Sequence, residues 1–172
     1  MSMRKGVTSL TVNKKPWEKI KKQLVAGQRF RGRVGWFADN VYGPENDNLP
    51  VATVANWNEY GGINGANAAF PGAVTPPRPF MRVYYQQELR QSRDLIVGLG
   101  SAIQMTIAGK SPVTALEYIG PFAVETLKDS IYYLDHPPNS QVTIDLKNSD
   151  NPLIDTGTMM NSVNYRVGGI TT

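Results

Sequence analysis

The chain has 172 residues, a length that predicts a single domain over residues 1–172. It contains no cysteine, which excludes disulfides, thiolate metal sites and a cysteine nucleophile. The chain contains no stretch of about 18 consecutive apolar residues, so we expect no membrane-spanning helix. The basic N-terminus also lacks the apolar segment of a signal peptide.

Positive charge is concentrated in the first part of the chain. Residues 1–33 hold ten Lys or Arg and one acid, whereas residues 34–172 hold eight Lys or Arg and thirteen acids. The net charge of +4 is therefore the sum of a basic first part, residues 1–33, and an acidic remainder, residues 34–172. This distribution is typical of contact with nucleic acid or with an acidic partner surface. A solvated helix face and an ordinary basic arm explain it equally well.

In chain order, residues 1–13 predict an extended arm with a short strand at 10–12. Residues 14–26 predict a helix, because an apolar stripe runs along the segment and Pro16 suits the first turn. Residues 29–38 alternate in polarity and predict a half-buried strand. The polar face of this strand carries Arg29, Arg31 and Arg33.

The middle of the chain predicts a helix, a loop and a longer helix. Residues 49–60 form the first of these, with a proline in the first turn. Residues 61–77 contain four Gly and three Pro and predict a long loop, a feature that is commonly functional in a compact domain. A long helix then begins at Pro79 and ends near Gly109, since apolar residues recur every three or four positions.

A second long helix follows Ser111, and Pro121 predicts a kink or a break within it. We expect the two long helices to form an antiparallel hairpin. Beyond them the pattern predicts a short strand at 141–146, a helical turn at 157–161 and a final strand at 162–168. The apolar positions of all these elements predict a core formed by Trp17, Ile20, Val34, Trp36, Leu89, Ile96, Leu99, Ile103, Leu116, Val124, Leu127 and Ile131.

No set of residues predicts catalysis. The single histidine, His136, precedes two prolines in a turn-forming segment and is interpreted as a surface residue. Motifs for a nucleophile elbow, a zinc protease or a phosphate loop are absent. The acids Asp39, Glu45 and Asp47 lack the spacing of a calcium loop, so a solvated turn is the better interpretation. We therefore expect a protein that is not an enzyme and has no catalytic residue, cofactor or metal.

Three segments have more specific local chemistry. In the first, Glu59 precedes a glycine pair at the end of the second helix, where its carboxylate could orient an arginine. In the second, prolines hold Arg78 extended ahead of Phe80 and Met81. That arrangement suits either an internal ion pair of Arg78 with Glu59 or another acid, or a contact between subunits.

The third segment is a polar turn that follows two apolar residues. It contains Asp155 and Thr156, and Thr156 is placed to cap the helical turn after it. A simple cap and turn explains the segment without any further role.

The order of these segments resembles a known family. A strand ending VGW, a helix ending NEYGG, a helix entry PPRPFMR and a segment LIDTGTMMNSV follow one another between residues 32 and 168. This order is similar to that of the tail-completion, tail-terminator and neck (head–tail joining) proteins of tailed bacteriophages, of the lambdoid and Mu-like virion-morphogenesis type. In that family an NE-aromatic-G segment precedes an RPF helix entry, and a DTG segment leads into the last strand.

The resemblance implies an α+β fold, in which a small, mostly antiparallel sheet packs against two long helices and a basic N-terminal arm precedes them. It implies a structural virion protein, assembled in the host bacterial cytoplasm, that forms a homo-oligomeric ring at the head–tail neck or the tail end. A hexamer is favoured, and the ring completes the tail or joins it to the connector. Expected partners are connector or adaptor proteins, the tail tube and the sheath, with no membrane, and DNA passes through the lumen without sequence readout.

Two groups of residues follow from this implied role. Residues expected to serve assembly or structure are Glu59, Arg78, Phe80, Met81, Asp155 and Thr156. Residues expected to form a basic contact surface are Arg29, Arg31, Arg33, Lys14 and Lys15.

The main alternative is a basic nucleic-acid-binding module. It rests on the basic N-terminal third and on Trp17, Phe30 and Trp36, whose rings could stack on bases. No recognition motif is present, however, and these aromatic residues lie at predicted core positions. A hydrolase with a carboxylate pair is less favoured still, because no coherent set of residues supports it.

Overall fold

The computed structural model describes residues 13–63 and 71–170, so the predicted strand at 10–12 and nearly all of the predicted arm lie outside these ranges. The α+β fold class is confirmed, since helices surround small antiparallel sheets. The first half of the chain contains α1 (Lys15–Gly27), β1 (Phe30–Gly35), a 3-10 turn (Pro44–Asn46), α2 (Val51–Tyr60), β2 (Gly62–Ile63) and β3 (Val74–Thr75). The second half contains α3 (Phe80–Val83), a π-helical turn (Tyr84–Glu88), α4 (Leu89–Gln91), α5 (Arg93–Ile107), α6 (Pro112–Tyr132), α7 (Gln141–Lys147), α8 (Thr158–Asn161) and β4 (Asn164–Gly169).

A short hairpin closes the predicted loop at 61–77. Strands β2 and β3 pair antiparallel, with Gly62 opposite Thr75. Gly61, which ends α2, has a φ of 69°, and a Cβ at this position would lie 2.6 Å from the carbonyl oxygen of Thr75. The glycine is therefore required both by its backbone conformation and by the close approach of β3.

The predicted long helix at 79–109 is interrupted at Ser92. This residue has extended backbone angles, and its Oγ accepts a hydrogen bond from Leu95 N at 3.3 Å, so it caps α5. The Thr126 hydroxyl of α6 lies 3.2 Å from the same Oγ. The apolar spacing continues through this break, which explains why periodicity alone predicted one helix.

The helix α6 is continuous, so the predicted break at Pro121 is wrong. Pro121 cannot donate a hydrogen bond to the carbonyl of Glu117. Both residues are exposed, and water can satisfy that carbonyl instead. The predicted antiparallel hairpin is present: Ser130 Oγ donates to Phe80 O at 2.7 Å near one end of α6, whereas α5 packs beside its other part.

The predicted strand at 141–146 is the helix α7. Ser140 caps it, because its Oγ accepts a hydrogen bond from Thr143 N at 3.2 Å. The alternating apolar residues Val142, Ile144 and Leu146 favoured a strand, but none of the described strands pairs with this segment to supply backbone partners. The helix satisfies its own backbone groups.

The main sheet is the antiparallel pair of β1 and β4, with Val34 opposite Tyr165 and Arg33 opposite Arg166. It packs on α6 through a very close approach, since a Cβ added at Gly120 would overlap the Tyr165 ring. The fully buried side chains Phe80, Leu127, Ile131 and Val51 lie at the centre of the core.

Only part of the predicted core is buried. Val124, Leu127 and Ile131 are buried as predicted, and Val34, Trp36 and Leu89 pack against the core. The prediction is wrong for Trp17, Ile96, Leu99 and Ile103, which are exposed. These four lie on α1 and α5, which cover one end of α6 but are not covered in turn by any described element. No helix within the described ranges is long and apolar enough to cross a membrane.

We predict that Gly120→Ala destabilises the protein by about 1–3 kcal/mol, because the added methyl group displaces β4 from α6. The matched control is Gly100→Ala in α5, where a Cβ meets no atom within 4 Å. That change should stabilise the protein by roughly 0.5–1 kcal/mol through helix propensity alone. The free energy of unfolding is measured by denaturant titration, and equal effects at the two sites would contradict the close approach.

Candidate functional site

The Glu59 carboxylate links the end of α2 to the start of α3. Its side chain is almost fully buried, and Oε2 accepts a hydrogen bond from Met81 N at 2.8 Å. Oε1 lies 3.6 Å from Nη2 of Arg82, whose side chain is half exposed. Glu59 thus satisfies a free amide of the first turn of α3 and keeps a cation beside it.

Arg78 is also buried, with 9% of its surface exposed, but the predicted ion pair with Glu59 is not formed. Its Nη2 donates to Asn139 Oδ1 at 2.8 Å, and its Nε lies 3.4 Å from Pro137 O. Among the described residues, Arg78 makes no ion pair with any acid. Burial therefore lowers the pKa of the guanidinium from its ordinary value.

The backbone conformation explains why Arg78 contacts Asn139 and not Glu59. Arg78 N donates to Asn58 O at 2.7 Å, which fixes the extended segment beside the end of α2. The prolines on both sides hold this conformation and direct the Arg78 side chain towards the loop before α7. Arg82 lies one helical turn further on and reaches Glu59 instead.

Phe80 and Met81 both belong to the interior of the subunit. Phe80 is fully buried, and its ring meets Trp36 edge-on with 5.8 Å between centroids. Met81 is partly buried and packs against the same core. Phe80 is therefore not available for contact with another subunit.

Asp155 and Thr156 lie in an exposed turn before α8. The Thr156 Oγ1 accepts a hydrogen bond from Thr158 N at 3.3 Å and lies 2.8 Å from the Thr158 hydroxyl. The predicted helical turn is thus present, but its N-cap residue is Gly157, in the left-handed conformation and without a side-chain cap. Thr156 lies one position earlier and accepts from the first helical amide instead.

All three segments reach a cavity of about 350 Å³, the first of them through Asn58. Its polar lining includes Arg78, Asn139, Lys147, Asp155 and Thr156. Burial lowers the pKa of Lys147, the charge of Arg78 acts in the same direction, and Asp155 opposes both. The two cations and the single carboxylate therefore share one electrostatic environment. We call this space the cationic cavity.

Lys147 and Asn139 were missed by reasoning from the sequence. Both lie in a region that was predicted to be loop and strand, whereas Lys147 occupies the last turn of a helix. The spacing of Ser140 and Thr143 is a helix-cap signal that could have revealed α7. Nothing in the sequence indicates that Asn139 contacts Arg78.

The predicted basic surface is divided into two parts. Arg31 and Arg33 are exposed on β1 and Arg29 is exposed in the turn just before it, and none of these β1 arginines forms an ion pair with a described residue. Lys14 and Lys15 lie at the opposite end of α1, about 20 Å away along a helix of this length. The structure does not bring these two groups together.

Another arginine joins the β1 group across the sheet. Arg166, which lies opposite Arg33, forms a two-pronged ion pair with Asp39 at 2.5 and 2.6 Å. Its guanidinium also lies 4.2 Å from the centroid of the Phe37 ring. Arg166 is thus held by its neighbours, whereas the β1 arginines have no such partners among the described residues.

An exposed apolar groove of about 380 Å³ lies between α1, α5 and α6. Its principal lining residues are Trp17, Leu24, Leu99, Ile103, Ile107 and Ile119. On one side α1 is anchored by a hydrogen bond from Gln23 Nε2 to Gly109 O at 2.9 Å. We call this feature the apolar groove.

Across residues 13–63 and 71–170, no group of three or more His, Asp or Glu is placed to bind a metal ion. Comparisons with family models, curated proteins and solved structures give no match.

We predict that Glu59→Ala destabilises the protein by about 1–3 kcal/mol, because it leaves the Met81 amide and the Arg82 guanidinium without their acceptor. Glu59→Gln should cost less, since its amide oxygen can still accept from Met81 N. Glu125→Ala is the control: its exposed pair with Lys128 contributes at most about 0.5–1 kcal/mol. Thermal and denaturant unfolding would measure all three, and a Glu59→Ala effect no larger than the control would contradict this role.

Proposed function

We propose that this protein is a structural subunit of a tailed-phage virion. Copies of it close into a ring at the head–tail neck or the tail end, with a hexamer favoured, and the ring completes the tail or joins it to the connector. The ring contacts connector or adaptor proteins, the tail tube or the sheath, and DNA passes through its lumen. The subunit acts by assembly and catalyses no reaction.

The segments whose order along the chain resembles the phage family support this proposal through the contacts that they make. Glu59 accepts from an amide at the start of α3, Phe80 fills the core and Thr156 accepts from the first amide of α8, so three of the segments that carry the family resemblance contribute to one structural unit. Their residues stabilise a scaffold that can present other surfaces to neighbours.

The observation that carries the proposal is the apolar groove. Trp17, Leu24, Ile103 and Ile107 each leave more than half of their surface in water. A contiguous exposed apolar surface of this kind marks a site of protein contact. Burial of such a surface contributes roughly 25 cal/mol per Å² to association. A second copy of the chain is the occupant that we propose.

Charge is consistent with a head-to-tail contact. Such a ring needs two different and complementary patches on every subunit. Among the exposed lysines of α1, Lys21 lies beside the groove, with its Nζ 5.5 Å from the centroid of the Trp17 ring, whereas residues 34–172 carry an excess of acids. A cation beside an apolar surface would orient an acidic neighbour.

We predict that wild-type protein forms a discrete oligomer of the 19.0-kDa chain and that Ile103→Glu weakens it by about tenfold or more, because the new charge must be buried in the contact. Light scattering after size exclusion, over a range of concentrations, measures the mass. Val142→Glu is the matched control, since Val142 is exposed to a similar degree (53% against 59%) but lies on α7, outside the groove.

A wild-type protein that stays monomeric at every concentration would contradict self-assembly. An oligomer that Ile103→Glu and Val142→Glu affect equally would show that the apolar groove is not the interface. Deletion of residues 1–13 in the same assay tests the basic arm, and unchanged assembly would exclude a role for it in the ring.

A nucleic-acid-binding module is the second candidate, and the exposed arginines of β1, which form no ion pair with residues 13–63 or 71–170, favour it. If these residues contact phosphates, the double variant Arg31→Gln/Arg33→Gln should lower the slope of log affinity against log salt by about two. Arg90→Gln/Arg93→Gln is the control, because these arginines are equally exposed but lie on α4 and α5. Absence of DNA binding at low salt, measured by fluorescence anisotropy, would exclude this candidate.

A further inference from the structure

The cationic cavity holds an arginine that is nine-tenths buried yet forms no ion pair with an acid of the described ranges. A buried charge is costly unless it is paired, so Arg78 differs from Glu59, a second buried charged residue, which has a cation beside it. Asn139 and Pro137 supply only neutral oxygens to Arg78. The protein therefore keeps this guanidinium in place without neutralising it.

Arg78 also has hydrogen-bonding capacity to spare. A guanidinium has five N–H donors, and contacts with described residues engage only Nε and Nη2. Among the side-chain polar atoms of the described residues, only Gln23 Oε1 is both inaccessible to solvent and without a hydrogen-bond partner. The Nη1 group of Arg78 is not such an atom and therefore opens onto a space that solvent can enter. Arg78 lines both the cationic cavity and a neighbouring cavity bounded by Pro138 and Ser140, and only the cationic cavity holds a second cation.

Lys147 adds a second cation to the same cavity. Its Nζ donates to Asn151 O at 2.9 Å, which uses one of three donors. Asp155 is the one acid in the cavity lining, and it is exposed. With both cations and Asp155 ionised, the lining carries one uncompensated positive charge.

We propose that the cationic cavity binds a carboxylate group, held by Arg78 and Lys147. One negative charge balances the lining, and a planar carboxylate matches the geometry of a guanidinium. The source is either a free carboxylic acid or the side chain of an Asp or Glu from another protein chain, and the chemistry of recognition is the same for both. This inference goes beyond the ring proposal, because a monomeric protein could bind the same group.

The test compares sodium acetate with sodium chloride at equal ionic strength and near-neutral pH. Acetate should raise the unfolding temperature of the wild type above the chloride value, and the Arg78 Nε–H signal in NMR spectra should shift during the titration. Lys147→Gln should abolish or greatly weaken the acetate response. Asp155→Asn should strengthen acetate binding by about three- to tenfold, because it removes a competing negative charge.

The opposite directions of these two variants separate binding from general destabilisation. Lys110→Gln, an exposed lysine outside the cavity, is the control and should respond as the wild type does. Equal effects of acetate and chloride on the wild type would overturn the proposal. So would acetate responses of Lys147→Gln and Asp155→Asn that match the control.

The source of the carboxylate is decided by repeating the titration on the oligomeric and monomeric fractions. If an acidic side chain of a neighbouring copy fills the cavity, acetate shifts the Arg78 signal in the monomer only. If the natural ligand is a free acid, both fractions respond. Mass measurements on the same fractions report on the ring separately, so failure of one proposal leaves the other intact.

Discussion

The contact between Phe80 and Trp36 joins the two halves of this chain. Phe80 follows an extended proline-rich segment and is fully buried. Its carbonyl accepts a hydrogen bond from Ser130 of α6, and its ring meets Trp36, just beyond β1. The Trp36 indole in turn donates to Met159 O at 2.7 Å, in α8. Four elements that are distant in sequence are thereby fixed around one side chain, and the positions of Glu59 and Arg78 depend on this arrangement.

The location of this core explains why apolar surface remains elsewhere. The buried residues of α6 that surround Phe80, such as Leu127 and Ile131, lie in the second half of the helix. The first half is covered by the sheet of β1 and β4 and by α1 and α5, and these two helices leave Trp17 and Ile103 in contact with water. One long helix therefore supports a closed core at one end and an open groove at the other. This division suits a subunit whose second apolar surface is completed by a neighbour.

Glu59 and Arg78, the charged side chains that are buried within the described ranges, have different surroundings. Glu59 has an amide and a cation as partners, so its burial stabilises the connection between α2 and α3. Arg78 has only neutral oxygen acceptors and lies beside a second cation, Lys147, which is an arrangement that stability alone does not favour. This contrast indicates that Glu59 has a structural role and that Arg78 is placed to bind an anion.

Much of the local structure was determined by the sequence itself. The proline at the start of α1, Ser111 before α6 and the alternation that predicts β4 act over a few residues, and these elements form where they were expected. The position of the glycine pair after α2 follows from equally local signals, whereas the α+β class was implied by the family resemblance. Only the tertiary structure decided that 141–146 is a helix, that Arg78 contacts Asn139, and that Ile103 lies in a groove rather than in the core. Arg78 and Asn139 are 61 positions apart, and burial depends on which helices surround a side chain, so no pattern of neighbouring residues contains this information.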